Sequence, residues 1–372
     1  MSEVAEGIDH HAVSDWLSRN IGDIRLPLEV ELIAGGHSNL TYSIAEQPGA
    51  DSTAGRRWVL RRPPLGQVLA TAHDVAREHR IISALAKSDV PVPRTIGVSA
   101  DDSVNGAPFY VMDFVDGQII RSTADASELG PDVRRKAGES LVDVLAAIHS
   151  VDVDEIGLGD LARRENYVAR QLKRWYGQFE HSETQVEGGL GLPSVHDVHD
   201  LLLERIPEQV GSTIVHGDYR LDNCMIDRTG QVVAVLDWEL CTLGDPLADL
   251  GLLWVYWTDE GDEAVLPQAA PTALHGFPKK LELMERYESE SGRNLSDLPF
   301  YVAFGYWKLT CILAGVYARY AGGAMGTVPA STVDGFRTML DTLVTVTEEA
   351  ATNIGTDWRP SPAAAEPIGA ES

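Results

Sequence analysis

The chain has 372 residues, enough for two domains or one bilobal unit with a full core. Its formal charge of −26 speaks against partners that need a basic patch, nucleic acid and anionic membrane alike. Three widely spaced cysteines, Cys224, Cys241 and Cys311, form no C-x-x-C pair, which speaks against a disulfide framework or structural zinc and fits a reducing compartment. The polar start "MSEVAEGIDHH" lacks signal-peptide character, and no run approaches the roughly 20 apolar residues of a membrane span, so the expected location is cytoplasmic.

Taken in order, the first expected elements are strands: "LEVELIAG", "LTYSIAE" and "RRWVLRR", short, β-rich and separated by Gly, Pro and Asp signals. "TAHDVAREHRIISALAKS" has helical spacing, with Val75, His79, Ile82 and Leu85 on one face. "PVPRTIGVSAD" and "APFYVMDFVDG" return to strand. After Gly117 the pattern turns helical: "PDVRRKAGESLVDVLAAIHS" with Pro131 at its start, "ENYVARQLKRWYGQFE", a loop over "HSETQVEGGLGLPS", then "VHDVHDLLLERIPEQV". "QVVAVLDW" reads as a buried strand, "YVAFGYWKLTCILAGVYARYA" and "TVDGFRTMLDTLVTVTEEA" as later helices, and the Pro/Ala-rich end as a disordered tail. The division is 1–115 as a β-rich lobe, 116–350 as a helical lobe and 351–372 as the tail. Charge follows it: residues 1–115 hold 15 Asp/Glu and 10 Lys/Arg, net −5, so the remainder carries −21.

One loop carries chemistry beyond what a turn needs. "TIVHGDYRLDNCMID" has the form His-Gly-Asp-x-x-x-x-Asn, and the following strand delivers Asp237 at its end. Asp218, Asn223 and Asp237 supply hard oxygen donors, the kind Mg²⁺ takes one or two of before completing its shell with phosphate and water. Left free of metal, Asp218 suits the base of a phosphoryl transfer. Hydrolysis, or a turn that binds no metal, fits the loop alone as well.

With Asp237 following, the loop resembles the catalytic and metal-binding loops of the protein-kinase-like fold, in particular the aminoglycoside phosphotransferase/choline kinase family. "HGDYRLDN" stands where protein kinases carry His-Arg-Asp-x-x-x-x-Asn, and "LDWELCTLGDPLADLG" where they carry Asp-Phe-Gly. The resemblance implies an α+β bilobal fold, ATP and Mg²⁺ as cofactors, and a hydroxyl-bearing small molecule as acceptor. It makes Asp218 the catalytic base, with Arg220 near the transferring group, and Asn223 and Asp237 the metal ligands. Gly35, Gly36, Ser38 and Asn39 would cover the phosphates. Arg61 stands at the usual Lys position, paired to Glu78. Met112, Asp113 and Val115 would form the adenine-facing hinge. Gly217, where protein kinases have an Arg that reads activation-loop phosphorylation, favours a metabolite kinase.

"WVLRRPP", "VAREHRI", "AIHSVD", "YVARQLKRW" and "LDWELCTLGDPLAD" further resemble a subfamily that includes kinase-like domains fused to acyl-CoA dehydrogenases, which implies a hydroxyacyl acceptor. The acidic large lobe suits a cationic aminoglycoside instead. The Lys-to-Arg change keeps a second reading in view, a nucleotide-binding pseudokinase without transfer. Among the remaining residues, His216 is expected to prop the loop. Arg220 is open between phosphoryl contact and surface salt bridge, and Glu239 between the metal's surroundings and solvation. Asp245 and Asp249 are expected to cap or anchor a helix. Tyr301, Phe304, Trp307 and Tyr317 are expected in the core, and His10, His11, His196 and His199 as exposed helix residues.

Overall fold

Asp9 opens the first helix, α1 (His10–Ile21): its carboxylate accepts the Ala12 amide at 3.0 Å, and Val13, Trp16 and Leu17 bury one face. The expected strand pattern begins only at Leu28, and this helix was foreseen only through His10 and His11, of which His11 is exposed as expected and His10 half-buried. The computed structural model describes residues 5–34, 39–48, 55–65, 74–323 and 328–359.

Five strands follow, β1 (Leu28–Ala34), β2 (Leu40–Glu46), β3 (Arg57–Arg62), β4 (Thr95–Ser99) and β5 (Phe109–Asp113), with α2 (Val75–Leu85) after β3 and the single turn α3 (Asp102–Asn105) after β4. They form one antiparallel sheet in the order β1-β2-β3-β5-β4. Both faces are covered. Trp58 and Leu60 of β3 join Ile44, Phe109 and Val111 beneath α1, while Val59, Tyr110 and Met112 face α2 and the larger core. Side chains alternate along a strand. That alternation separates two adjacent arginines: Arg61 lies on the Val59 side, and Arg62 points the other way, donating to the carbonyls of Gly7 and Asn105. Asp74 caps α2 by accepting the Arg77 amide at 2.9 Å, and the helix buries Val75, Ile81, Ile82 and Leu85 together with Glu78. His79, expected on that face, is half-buried beside Tyr110.

Past β5 the chain forms β6 (Gln118–Ile119), α4 (Thr123–Ser127), α5 (Pro131–Ser150), α6 (Tyr167–Thr184) and α7 (Pro193–Glu204). Four short strands then carry the site loops: β7 (Thr213–Val215), β8 (Cys224–Ile226), β9 (Val232–Val235) and β10 (Thr242–Gly244). β6-β8-β9 make one small sheet, and β7 pairs with β10 in another. Helices α8 (Leu247–Val255), α9 (Lys280–Ser291), α10 (Leu298–Ala321) and α11 (Ala330–Thr352) complete the fold.

Helix α10 is the centre of the helical part and packs against α6, α7, α8 and α11. By length and composition it is apolar enough to cross a membrane, contrary to the expectation that no run comes near this, and 78% of its most apolar stretch is buried in the protein. Tyr301, Phe304 and Trp307 are buried as expected, and Tyr317 partly so. His199 is not exposed: it is 7% accessible and stacks on Tyr176 at 3.7 Å, because α7 lays that face against α6. The start of the expected tail also differs. Helix α11 runs to Thr352, and Trp358 is buried in the large core, so an aromatic anchor fixes the chain beyond residue 351; residues from 360 lie outside the described set.

Candidate active site

Two strand ends meet at the cleft. Strand β7 ends in Val215 and releases the loop His216–Asn223, while β9 ends just before Leu236-Asp237. The Leu236 amide donates to the Asn223 carbonyl at 2.9 Å, which holds the two segments side by side. Asp237 has φ +63°, a left-handed conformation that a non-glycine residue adopts at some cost and that Asp tolerates better than most.

The loop is over-determined by its own bonds. Asp249, inside the apolar helix α8, accepts the His216 amide at 2.6 Å and the Gly217 amide at 2.8 Å. His149 of α5 approaches the same carboxylate at 3.4 Å and is held on its other nitrogen by Tyr287 at 2.7 Å. Burial alone would push the Asp249 carboxyl up, but bonding and charge from His149, with His216 and the Gly217 amide, hold it below the usual range. The His216 ring bonds the Leu236 carbonyl at 2.9 Å, so it props the loop, and Tyr219 anchors to the Leu141 carbonyl at 2.7 Å. Gly217 has φ +86°, and a Cβ there would sit 3.0 Å from the Leu240 carbonyl oxygen. Any side chain at this position is strained, whatever its chemistry.

Asp218 is bound on one oxygen only. Its Oδ2 accepts from Arg220 Nε at 3.2 Å and from Asn223 Nδ2 at 3.0 Å, and Oδ1 has no partner among the described residues. Arg220 is more than a surface ion: its side chain is 19% exposed, bonds Asp222 at 2.9 Å, and lies 4.7 Å over the Tyr256 ring. It therefore fixes the Asp218 carboxylate. The Asn223 amide nitrogen is spent on Asp218, which leaves its oxygen for another partner.

Arg61 reaches across the cleft. One guanidinium nitrogen pairs with Glu78 of α2, and the other approaches Asp237 Oδ1 at 3.3 Å. Burial disfavours its charge, but Glu78, Tyr110 and Asp237 outweigh that and hold its pKa above the ordinary guanidinium value. The pair is buried on both sides, 10% and 1% exposed, so it is no ordinary surface contact. Glu239 is partly buried; desolvation first, then neighbouring Asp237, pushes its carboxyl up to about 7. Asp245 accepts the Leu247 and Val210 amides at 3.0 Å each, as a helix-start anchor does.

At the expected hinge, Met112 is buried, and Asp113 pairs with Arg94 through its side chain at 2.8 Å. The Val115 amide has no backbone partner among the described residues. Asn39 is buried, and its Oδ1 has no partner among the described residues. Gly35, Gly36 and Ser38 lie outside the described residues. Among the described residues no cluster of three or more His, Cys, Asp or Glu stands ready for a metal. One carboxamide oxygen and one carboxylate fit a Mg²⁺ that draws its other ligands from phosphate and water.

Two contributors were missed. Asp249 was expected only to serve its own helix, and Lys308, whose Nζ donates to the Gly217 carbonyl at 2.8 Å, was not singled out. Both are lone charges in apolar helical runs, "LADLGLLWV" and "FGYWKLTCILAG". A charge placed so needs a buried partner, and that was the available signal.

The profile of the phosphotransferase enzyme family matches residues 29–281. Over 309 residues the chain is 34% identical to acyl-CoA dehydrogenase family member 10 of Mus musculus, covering 80% of this chain and 27% of that protein. It thus spans about a quarter of that relative's length. A solved candidate aminoglycoside phosphotransferase from Ralstonia eutropha superimposes with a TM-score of 0.75 at 32% identity, over 93% of this chain and 99% of that one. An amicoumacin kinase solved with AMP-PNP and Ca²⁺ shares the fold alone, with a TM-score of 0.58 at 16% identity over 91% and 94% of the two chains. The chain belongs to the phosphotransferase enzyme family and has a kinase-like fold.

Proposed function

We propose that the protein is an ATP- and Mg²⁺-dependent kinase that phosphorylates a hydroxyl of a small metabolite. One observation carries the reading: Arg61, held by buried Glu78, reaches Asp237 across the cleft, beside a loop that leaves one oxygen of Asp218 free. A neighbour of the same fold was solved with the ATP analogue AMP-PNP, which supports ATP as donor. The adenine would meet the backbone at Asp113 and Val115 above Met112. The phosphates would lie under Gly35, Gly36, Ser38 and Asn39, with Arg61 on their oxygens. Mg²⁺, held by Asn223 and Asp237, would neutralise charge on the phosphates.

The chain's own residues then do two things. Arg220 and Asn223 fix the Asp218 carboxylate, and Asp218 aligns the acceptor hydroxyl and takes its proton as the oxygen bonds to the γ-phosphorus and the bond to ADP breaks. Catalysis of this kind is mainly positioning and charge neutralisation, so the rigidity given to the loop by Asp249 is part of it. Arg61 keeps the positive charge of the usual Lys and binds phosphate in a fork, which favours an active enzyme over a nucleotide-binding pseudokinase. The test is incubation with ATP, Mg²⁺ and a metabolite extract, reading products by mass spectrometry. A phosphorylated metabolite supports the kinase. Nucleotide binding without any product supports the pseudokinase.

A further inference from the structure

A cavity of about 380 Å³ opens beside Gly217, the residue before Asp218, and is bounded by Glu239–Thr242. Three cations from three separate helices line it: Arg77 of α2, Arg174 of α6 and Lys308 of α10. None of them forms a salt bridge with a carboxylate among the described residues. Arg77 donates to the Cys241 carbonyl at 2.6 Å, Lys308 to the Gly217 carbonyl at 2.8 Å, and Arg174 lies 4.9 Å over the Trp175 ring. Two carboxylates face the same space, Asp74 and Glu239, and Asp74 is already engaged in capping α2.

In a chain of net charge −26, three cations converging on one cavity need a reason. The general field repels anions, so an anion is admitted only where local charge overrides that field. Backbone carbonyls satisfy Arg77 and Lys308 as hydrogen-bond donors without neutralising them, and the Asp218 and Asp249 carboxylates act on Lys308 through charge without a direct ion pair. Arginine in particular suits carboxylate and phosphate oxygens.

We infer that the acceptor carries an anionic group, a carboxylate or a phosphate, which Arg77, Arg174 and Lys308 hold in this cavity while its hydroxyl faces Asp218. The inference rests on the kinase reading for the role of Asp218, and on the cavity alone for the anion. It runs against a polycationic acceptor, which would meet three like charges, whatever the acidity of the lobe as a whole.

The test follows thermal unfolding of the full chain with matched probes. Glycerate and glycerol phosphate present the two anions, glycerol is their neutral counterpart, and kanamycin is a polycation. The expected result is a saturable upshift with glycerate or glycerol phosphate, an affinity for glycerol at least about tenfold weaker, and loss of the upshift in Arg174→Glu with recovery in Arg174→Lys. Which of the two anions acts identifies the source. No upshift with either anion, an upshift unchanged in Arg174→Glu, or one given by kanamycin instead overturns the inference. An upshift with ATP and Mg²⁺ is read in the same samples. Its absence beside an intact anion response would count against the kinase reading and leave the anion pocket standing.

Discussion

Arg61 is asked to serve two carboxylates at once, Glu78 beneath it and Asp237 across the cleft. Removing one partner from a buried pair leaves an uncompensated charge, at a cost of about 3–5 kcal/mol. Arg61→Met is therefore expected to lower the unfolding free energy from urea titration by that much, shifting the midpoint down, and Arg61→Lys by clearly less. An unchanged midpoint in Arg61→Met would mean that Glu78 is protonated and the pair is not ionic. At this scale the motif brought Asp218, Asn223 and Asp237 into view, and the resemblance picked out Arg61, which strand alternation in the fold then separates from Arg62. It left Arg220 open between phosphoryl contact and surface salt bridge, since its bond to Asp222 and its place over the Tyr256 ring depend on folding that brings the end of α8 over the loop.

Among elements, the five-stranded sheet carries its own acid sensor at the end of one inner strand. Glu46, at the end of β2, is buried under half-exposed Arg56 and Arg25. Bonding to Arg56 first, and to Arg25 as well, lowers its carboxyl to about 2. A carboxylate whose folded pKa lies below its unfolded value contributes stability that is fully present above about pH 4 and lost as pH falls toward 2. Glu46→Gln should cost about 1 kcal/mol at pH 7, allowing for the exposed arginines, and the difference should vanish near pH 2. Equal loss at both pH values in denaturant titrations would contradict this. Element existence was largely legible from periodicity. What was not were features decided by packing between elements: the burial of His199 against α6, the anchoring of the chain end by Trp358, and the second task of Asp249. A helix-cap reading of Asp249 follows from local spacing, but its true partners lie more than thirty residues earlier in the chain.

For the whole molecule, nucleotide bound between sheet and helices would touch both parts and so couple their unfolding. Ligand that binds only the folded state stabilises by about 2.7 kcal/mol at a hundredfold excess over its dissociation constant. ATP with Mg²⁺ should raise the melting temperature by a few degrees, and chelating the metal should remove most of the gain. An upshift with ATP that ignores chelation would remove Asn223 and Asp237 from the metal's surroundings. Net charge was the least informative whole-chain property: −26 suits an acidic surface kept soluble as well as a cationic acceptor, while the cavity beside Gly217 gathers three cations. Local convergence of side chains from α2, α6 and α10 is a property of the fold that composition averages away.

The central claim is that Asp218 takes the acceptor proton. The direct measurement compares transfer of the γ-phosphoryl group from ATP into a metabolite extract by wild type and Asp218→Asn, with nucleotide binding read in parallel. The account predicts a loss of transfer of about a hundredfold to ten-thousandfold with nucleotide affinity little changed. Transfer by Asp218→Asn at the wild-type rate would contradict it.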